Sequence, residues 1–99
     1  TTLSVLKLDH NDIVGSLPSE LGLLTDLTVL NISFCSQVTG TIPTEWGSLE
    51  NLVELKLAGN AQLSGPFPAE LGGLSSLEEL WLDGTGVTGV IPVDLCSHV

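Results

Sequence analysis

The two lysines of this 99-residue chain fall on one repeating phase. Lys7, Asn31, Lys56 and Trp81 lie 24, 25 and 25 residues apart, so two ammonium groups, an amide and an indole recur at a near-constant interval. Charged and aromatic anchors of this kind are over-represented in binding hot spots, so the chemistry on offer is non-covalent recognition. Flanking positions keep the same phase. Val5, Val29, Glu54 and Glu79 precede the central set by two residues, Asp9, Ser33, Ala58 and Asp83 follow it by two, and His10, Phe34, Gly59 and Gly84 come next. The candidate ligand-binding residues are therefore Lys7, Asp9, His10, Phe34, Glu54, Lys56, Glu79, Trp81 and Asp83. The competing reading of Lys56 is a solvated lysine neutralised by Glu54 and Glu79, in surface pairs each contributing about 0–1 kcal/mol.

Other reactive types are placed less suggestively. His10 and His98 stand at opposite ends, and no serine or cysteine sits in a nucleophile-elbow motif, so no catalytic residues are expected and the chain reads as not an enzyme. Cys35 and Cys96 have no metal-ligand spacing with the histidines, and they occupy different phases of distant units, which disfavours a bridge. Glu20, Glu45, Glu70 and Asp94 form a carboxylate series that a hard cation could use. One acid per helical first turn is explained without an ion by the exposed N–H groups there, so neither metal nor cofactor is expected. Asn31-Ile32-Ser33 is an N-glycosylation sequon, and a glycan on Asn31 would obstruct the central row.

Bulk composition narrows the partners. Two Lys+Arg against 12 Asp+Glu give a net charge of −10, which repels phosphate backbones and anionic lipid surfaces and excludes nucleic acid as an expected partner. Apolar residues never run together for the roughly eighteen positions that a membrane-spanning helix needs, so no membrane contact by this segment is expected.

What positions these residues is a period. "LSVLKLDHNDI", "LTVLNISFCSQV", "LVELKLAGNAQL" and "LEELWLDGTGV" begin at Leu3, Leu27, Leu52 and Leu77, each followed by a G-x-x-P segment such as "GTIPTEWGSL" from Gly40. The reading is one domain over residues 1–99, with units at approximately 3–26, 27–51, 52–76 and 77–99. Seven inward slots per unit (Leu27, Leu30, Ile32, Val38, Ile42, Trp46 and Leu49 in the second) are apolar throughout, except at His98. A composition that is 42% apolar would fill far fewer by chance, so the period is a packing register. The L-x-L triplets alternate in and out as a short strand. Asn11, Cys35, Asn60 and Thr85 turn the chain, Gly15, Gly40, Gly65 and Gly89 allow a tight path, and Pro18, Pro43, Pro68 and Pro92 suit the first helical position. Gly22, Gly47 and Gly72 are read as stopping that helical turn. Trp46 and Phe67 occupy inward slots and are expected in the core. Phe34 and Trp81 are expected to face outward without a packing role, beside a shallow depression at Gly59 and Gly84.

The pattern LxxLxLxxNxLxGxIPxxLGxL resembles the plant-type leucine-rich repeat over practically the whole chain. The resemblance implies an α/β repeat solenoid: a right-handed superhelix with a parallel concave β-sheet and short helical turns on the convex side. It also implies an extracellular or cell-surface location and a protein- or peptide-binding module, of the kind found in the ectodomains of receptor-like proteins and kinases. Two alternatives stay open: a secreted inhibitor of a polysaccharide-degrading enzyme, or a structural solenoid that stacks through its apolar ends or presents Val14, Thr39, Ser64 and Thr88 to a regular surface such as ice. Thr1 and Thr2 fall where a preceding unit would finish, so the chain reads as part of a longer protein.

Overall fold

The structure is a computed structural model and describes residues 3–89. Four three-residue strands, β1 (Val5–Lys7), β3 (Val29–Asn31), β5 (Glu54–Lys56) and β7 (Glu79–Trp81), form one parallel sheet in the order β1-β3-β5-β7. Its register pairs Leu6 with Leu30, Leu30 with Leu55, and Leu55 with Leu80. Repeat-equivalent residues are thus strand neighbours, as the period predicts. Short segments β2 (Gly15–Ser16), β4 (Val38–Thr39), β6 (Ser64–Pro66) and β8 (Gly86–Thr88) make two small parallel ladders on a second face, which the L-x-L pattern did not reveal. Here the register slips: Ser16 pairs with Thr39 and Pro66 with Thr88. Repeat-equivalent residues are therefore offset by two positions across this face.

Between the sheets lies the leucine interior. Leu27, Leu30, Leu49, Leu52, Leu55, Leu57, Leu63, Leu71 and Leu74 have no exposed surface, and Trp46 and Phe67 are buried as expected. Each fully buried aliphatic side chain contributes about 1.5–3 kcal/mol relative to exposure, so burial repeated coil by coil holds the stack together. The first coil is less enclosed: Leu3 is 43% exposed and Leu6, Leu8, Ile13, Leu21 and Leu24 are half-buried, because among the described residues no coil packs on their outer side. Ile91, Leu95 and His98 lie outside the described residues, as do Pro92, Asp94 and Cys96. Among the described residues no helix is long and apolar enough to cross a membrane.

The helical turns are 3₁₀ rather than α: η1 (Ser19–Leu23), η2 (Thr44–Ser48) and η3 (Ala69–Gly73). The 3₁₀ form is common in pieces this short, and i→i+3 bonds close each turn. Two sequence expectations are corrected. Pro18, Pro43 and Pro68 are extended residues just before the turn, not its first helical position, and their carbonyls accept the opening bonds from Leu21, Trp46 and Leu71 at 3.1–3.3 Å. A proline loses nothing there, since the turn uses its C=O and not its absent N–H. Glu20, Glu45 and Glu70 do occupy the first turns.

Gly72 lies inside its turn and does not stop it, and the same holds for Gly22 and Gly47. Their role is close approach: a Cβ on Gly47 would stand 2.5 Å from the Glu70 carbonyl oxygen of the next coil, and one on Gly22 would collide with the Glu45 carbonyl. At Gly73 the nearest atom would be 3.5 Å away. Gly47→Ala is accordingly expected to cost about 1–3 kcal/mol by forcing two coils apart, whereas Gly73→Ala should be neutral or stabilise by up to about 1 kcal/mol. Urea midpoints of the two variants check the contrast.

Candidate functional site

Because Leu6, Leu30, Leu55 and Leu80 turn inward, the residues on either side of each must turn outward. The register places Lys7 beside Asn31, Asn31 beside Lys56, and Lys56 beside Trp81, so the central row runs unbroken across the four strands. Val5, Val29, Glu54 and Glu79 form the parallel row beside it. Backbone bonds between coils fix both rows, with Leu8 N–H donating to Asn31 O at 2.7 Å, Ile32 to Lys56 O at 2.9 Å and Leu57 to Trp81 O at 2.9 Å.

Within this face Lys56 is the organising charge. Its Nζ is 3.1 Å from Glu54 Oε1 and 4.2 Å from the centre of the Trp81 ring. Glu54 therefore neutralises it as expected, but Glu79 is not an ion-pair partner, because the indole of the next strand takes the ammonium instead. Cation–π contacts of this kind are worth about 0.5–1 kcal/mol at exposed sites. Lys7, Glu79 and Asp83 are exposed, and none of the three has an ion-pair partner among the described residues.

The C-terminal side of the face departs from expectation. Ser33 and Ala58 are each only 2% exposed, so of the series Asp9, Ser33, Ala58 and Asp83 only the two carboxylates reach solvent. The reason is side-chain length: serine and alanine end near backbone level. Among the described residues the Ser33 hydroxyl has no hydrogen-bond partner. Asn31, the sequon asparagine, is half-buried, and its Oδ1 accepts the Ser33 N–H at 3.1 Å.

The next position carries a backbone feature that sequence reasoning missed. His10 and Phe34 both have φ of 58°, and Gly59 and Gly84, their equivalents, have φ of 76° and 73°. Each coil turns off the sheet through a left-handed residue, which glycine adopts freely and His or Phe only at a cost. Glycine in two of the four units was the available signal. Phe34 is 52% exposed, yet its ring stacks on His10 at 5.0 Å with planes 19° apart. It also lies directly over Gly59, where a Cβ would strike the ring. The expected depression at Gly59 is thus filled by Phe34, and both outward aromatics have packing partners: His10 and Gly59 for Phe34, Lys56 for Trp81. Asp9 approaches the His10 Nε2 at 3.9 Å.

Below the face, the turn residues bond as their side chains allow. Asn60 is fully buried: its Nδ2 donates to Ile32 O at 2.7 Å and Leu57 O at 2.8 Å, while its Oδ1 accepts the Cys35 N–H at 2.8 Å. Cys35 is free and buried, and its thiol reaches Leu8 O at 3.1 Å. Among the described residues the Thr85 hydroxyl bonds only within its own coil, donating to Leu82 O at 2.7 Å and accepting the Val87 N–H at 3.4 Å. Among the described residues no group of three or more His, Cys, Asp or Glu side chains could hold a metal ion.

Comparison with known proteins agrees with this geometry. The Leucine Rich Repeat family matches at residues 2–24, 26–49 and 76–98. No curated protein matches the chain. Among solved structures it is similar to the ectodomain of the Arabidopsis thaliana membrane receptor kinase GASSHO1/SCHENGEN3, in complex with CASPARIAN STRIP INTEGRITY FACTOR 2, at 43% identity and TM-score 0.86 over 94% of this chain and 11% of that one. It is also similar to the plant peptide hormone receptor RGFR1 in complex with RGF2, at 41% identity and TM-score 0.87 over 94% of this chain and 15% of the receptor. A plant ice-binding protein matches at 31% identity and TM-score 0.82 over 94% of this chain and 30% of that one. The chain thus spans about an eighth of these two receptor ectodomains and about a third of the ice-binding protein. From its strand register, its 3₁₀ turns and the family match over three of its units, this chain belongs to the leucine-rich repeat family, in its plant type.

Proposed function

We propose that the chain is a protein- or peptide-binding module whose concave sheet, centred on Lys7, Asn31, Lys56 and Trp81, contacts the ligand. The observation that carries the reading is the register itself, which lines up both cations and an exposed tryptophan above an inward leucine row whose central members, Leu30 and Leu55, are fully buried. The similarity to plant receptors solved in complex with CASPARIAN STRIP INTEGRITY FACTOR 2 and with RGF2 supports this reading, and with it a location outside the cell as part of a receptor-like protein. A glycan on Asn31 would stand in the same row and compete with such a ligand. Immobilised chain should recover a peptide or protein from plant extracellular fluid, and a Lys56→Ala/Trp81→Ala variant should lose most of that recovery, on the order of tenfold for two hot-spot truncations. Undiminished recovery by the double variant removes the face from consideration.

A second reading is favoured by the likeness to the ice-binding protein. Val14, Thr39, Ser64 and Thr88 are all exposed, but the flanking ladders pair Thr39 with Ser16 and Thr88 with Pro66, so they do not form a straight row of small side chains. Thermal hysteresis separates the readings, since a peptide-binding module should show none.

A further inference from the structure

We infer that strand β7 carries a subsite for a cationic side chain, arginine above all, of a peptide ligand, built from Glu79, Trp81 and Asp83. This rests on the reading of the concave sheet as the ligand face and names the ligand chemistry of one end of it. The three residues alternate along one strand and its exit, so they project on the same side, with a carboxylate before and after the indole. The ring lies where a cation is already accepted: Lys56 sits over one face at 4.2 Å, and the indole is still 42% exposed.

The charge balance then decides the sign of the partner. Lys56 is matched by Glu54 at 3.1 Å, which leaves Glu79 and Asp83 with no cation within 4.0 Å among the described residues. Lys7 stands three strands away, about 14 Å at the usual strand spacing, which exceeds the screening length of about 8 Å at physiological salt. The β7 end of the sheet is therefore acidic and aromatic while the β1 end carries the free lysine. With a net charge of −10 behind it, this end attracts cations over distance and repels anions. A guanidinium suits the place better than an ammonium, because its plane stacks on the indole while its edge donates to a carboxylate.

The test uses acetyl-tetra-arginine amide as probe and the two indole N–H signals of the ¹⁵N-labelled chain as reporters. The Trp81 signal should move on titration while that of Trp46, which is fully buried, stays in place and reports an intact fold. Glu79→Gln/Asp83→Asn should weaken binding at least about fivefold, as expected for loss of two complementary charges. The convex variant Glu20→Gln/Glu45→Gln/Glu70→Gln should change it less than about twofold, and tetra-citrulline amide should leave Trp81 unmoved. An unmoved Trp81 signal with the arginine probe, or an equal loss in the convex variant, would overturn the subsite. If Glu79→Gln/Asp83→Asn keeps the natural partner that Lys56→Ala/Trp81→Ala loses, the subsite fails and the binding face stands. If both variants keep it, the face fails as well.

Discussion

Leu55→Ala is expected to lower the unfolding free energy by about 2–5 kcal/mol, as truncations of fully buried leucines do. Leu55 has no exposed surface, lies on the second-to-last strand of the four and is flanked in register by Leu30 and Leu80, so the cavity opens where coils meet on both sides and cannot collapse without moving a neighbouring strand. Lys56, the very next residue, is the control. Removing its side chain ends one partly exposed ion pair and one cation–π contact, which together cost no more than about 1–2 kcal/mol. Urea unfolding of both variants should therefore show a large drop in midpoint for one and a small drop for its neighbour. Equal losses would mean that the inward and outward faces of the sheet have been exchanged.

Asn60→Ala should cost on the order of 3 kcal/mol. The truncation leaves three buried groups unpaired at once: the Cys35 N–H and the Ile32 and Leu57 carbonyls. Each buried orphan costs about 1–3 kcal/mol, and the sum is moderated because the turn relaxes. Two of the three lie on the preceding coil, so the loss weakens the join between coils and not merely one turn. Asn11 occupies the same repeat position but is exposed, and its amide bonds only the Leu8 and Asp9 carbonyls of its own coil. Water can replace those bonds, so Asn11→Ala should cost less than about 1 kcal/mol. A difference of this size between equivalent asparagines, measured in the same denaturant, checks that the buried ladder and not the asparagine type carries the stability.

Much of this architecture was legible because the signal is repeated four times. A single L-x-L triplet could belong to many folds, but four in one phase, with Trp46 and Phe67 standing in leucine slots, fix which faces are covered. The central row followed from that phase with no further information. What the period could not show depends on neighbouring coils. Gly47 looks like a helix stop until the Glu70 carbonyl is found against it, and Ser33 looks like a surface residue until its neighbours rise above it. Phe34 reads as an unpartnered aromatic because its partners, His10 and Gly59, are 24 residues before it and 25 after it. The two-residue slip of the flanking ladders was hidden for a related reason: aligning a repeat on itself assumes that equivalent residues are neighbours, and on the second face they are not.

The central claim is that stacked coils place Lys7, Asn31, Lys56 and Trp81 side by side above a leucine row. Scalar couplings transmitted through hydrogen bonds read that register directly in solution. Three should be observed: the Leu8 N–H to the Asn31 carbonyl, the Ile32 N–H to the Lys56 carbonyl and the Leu57 N–H to the Trp81 carbonyl. Coupling of any of these amides to a carbonyl one or more residues away from its named partner would contradict the account.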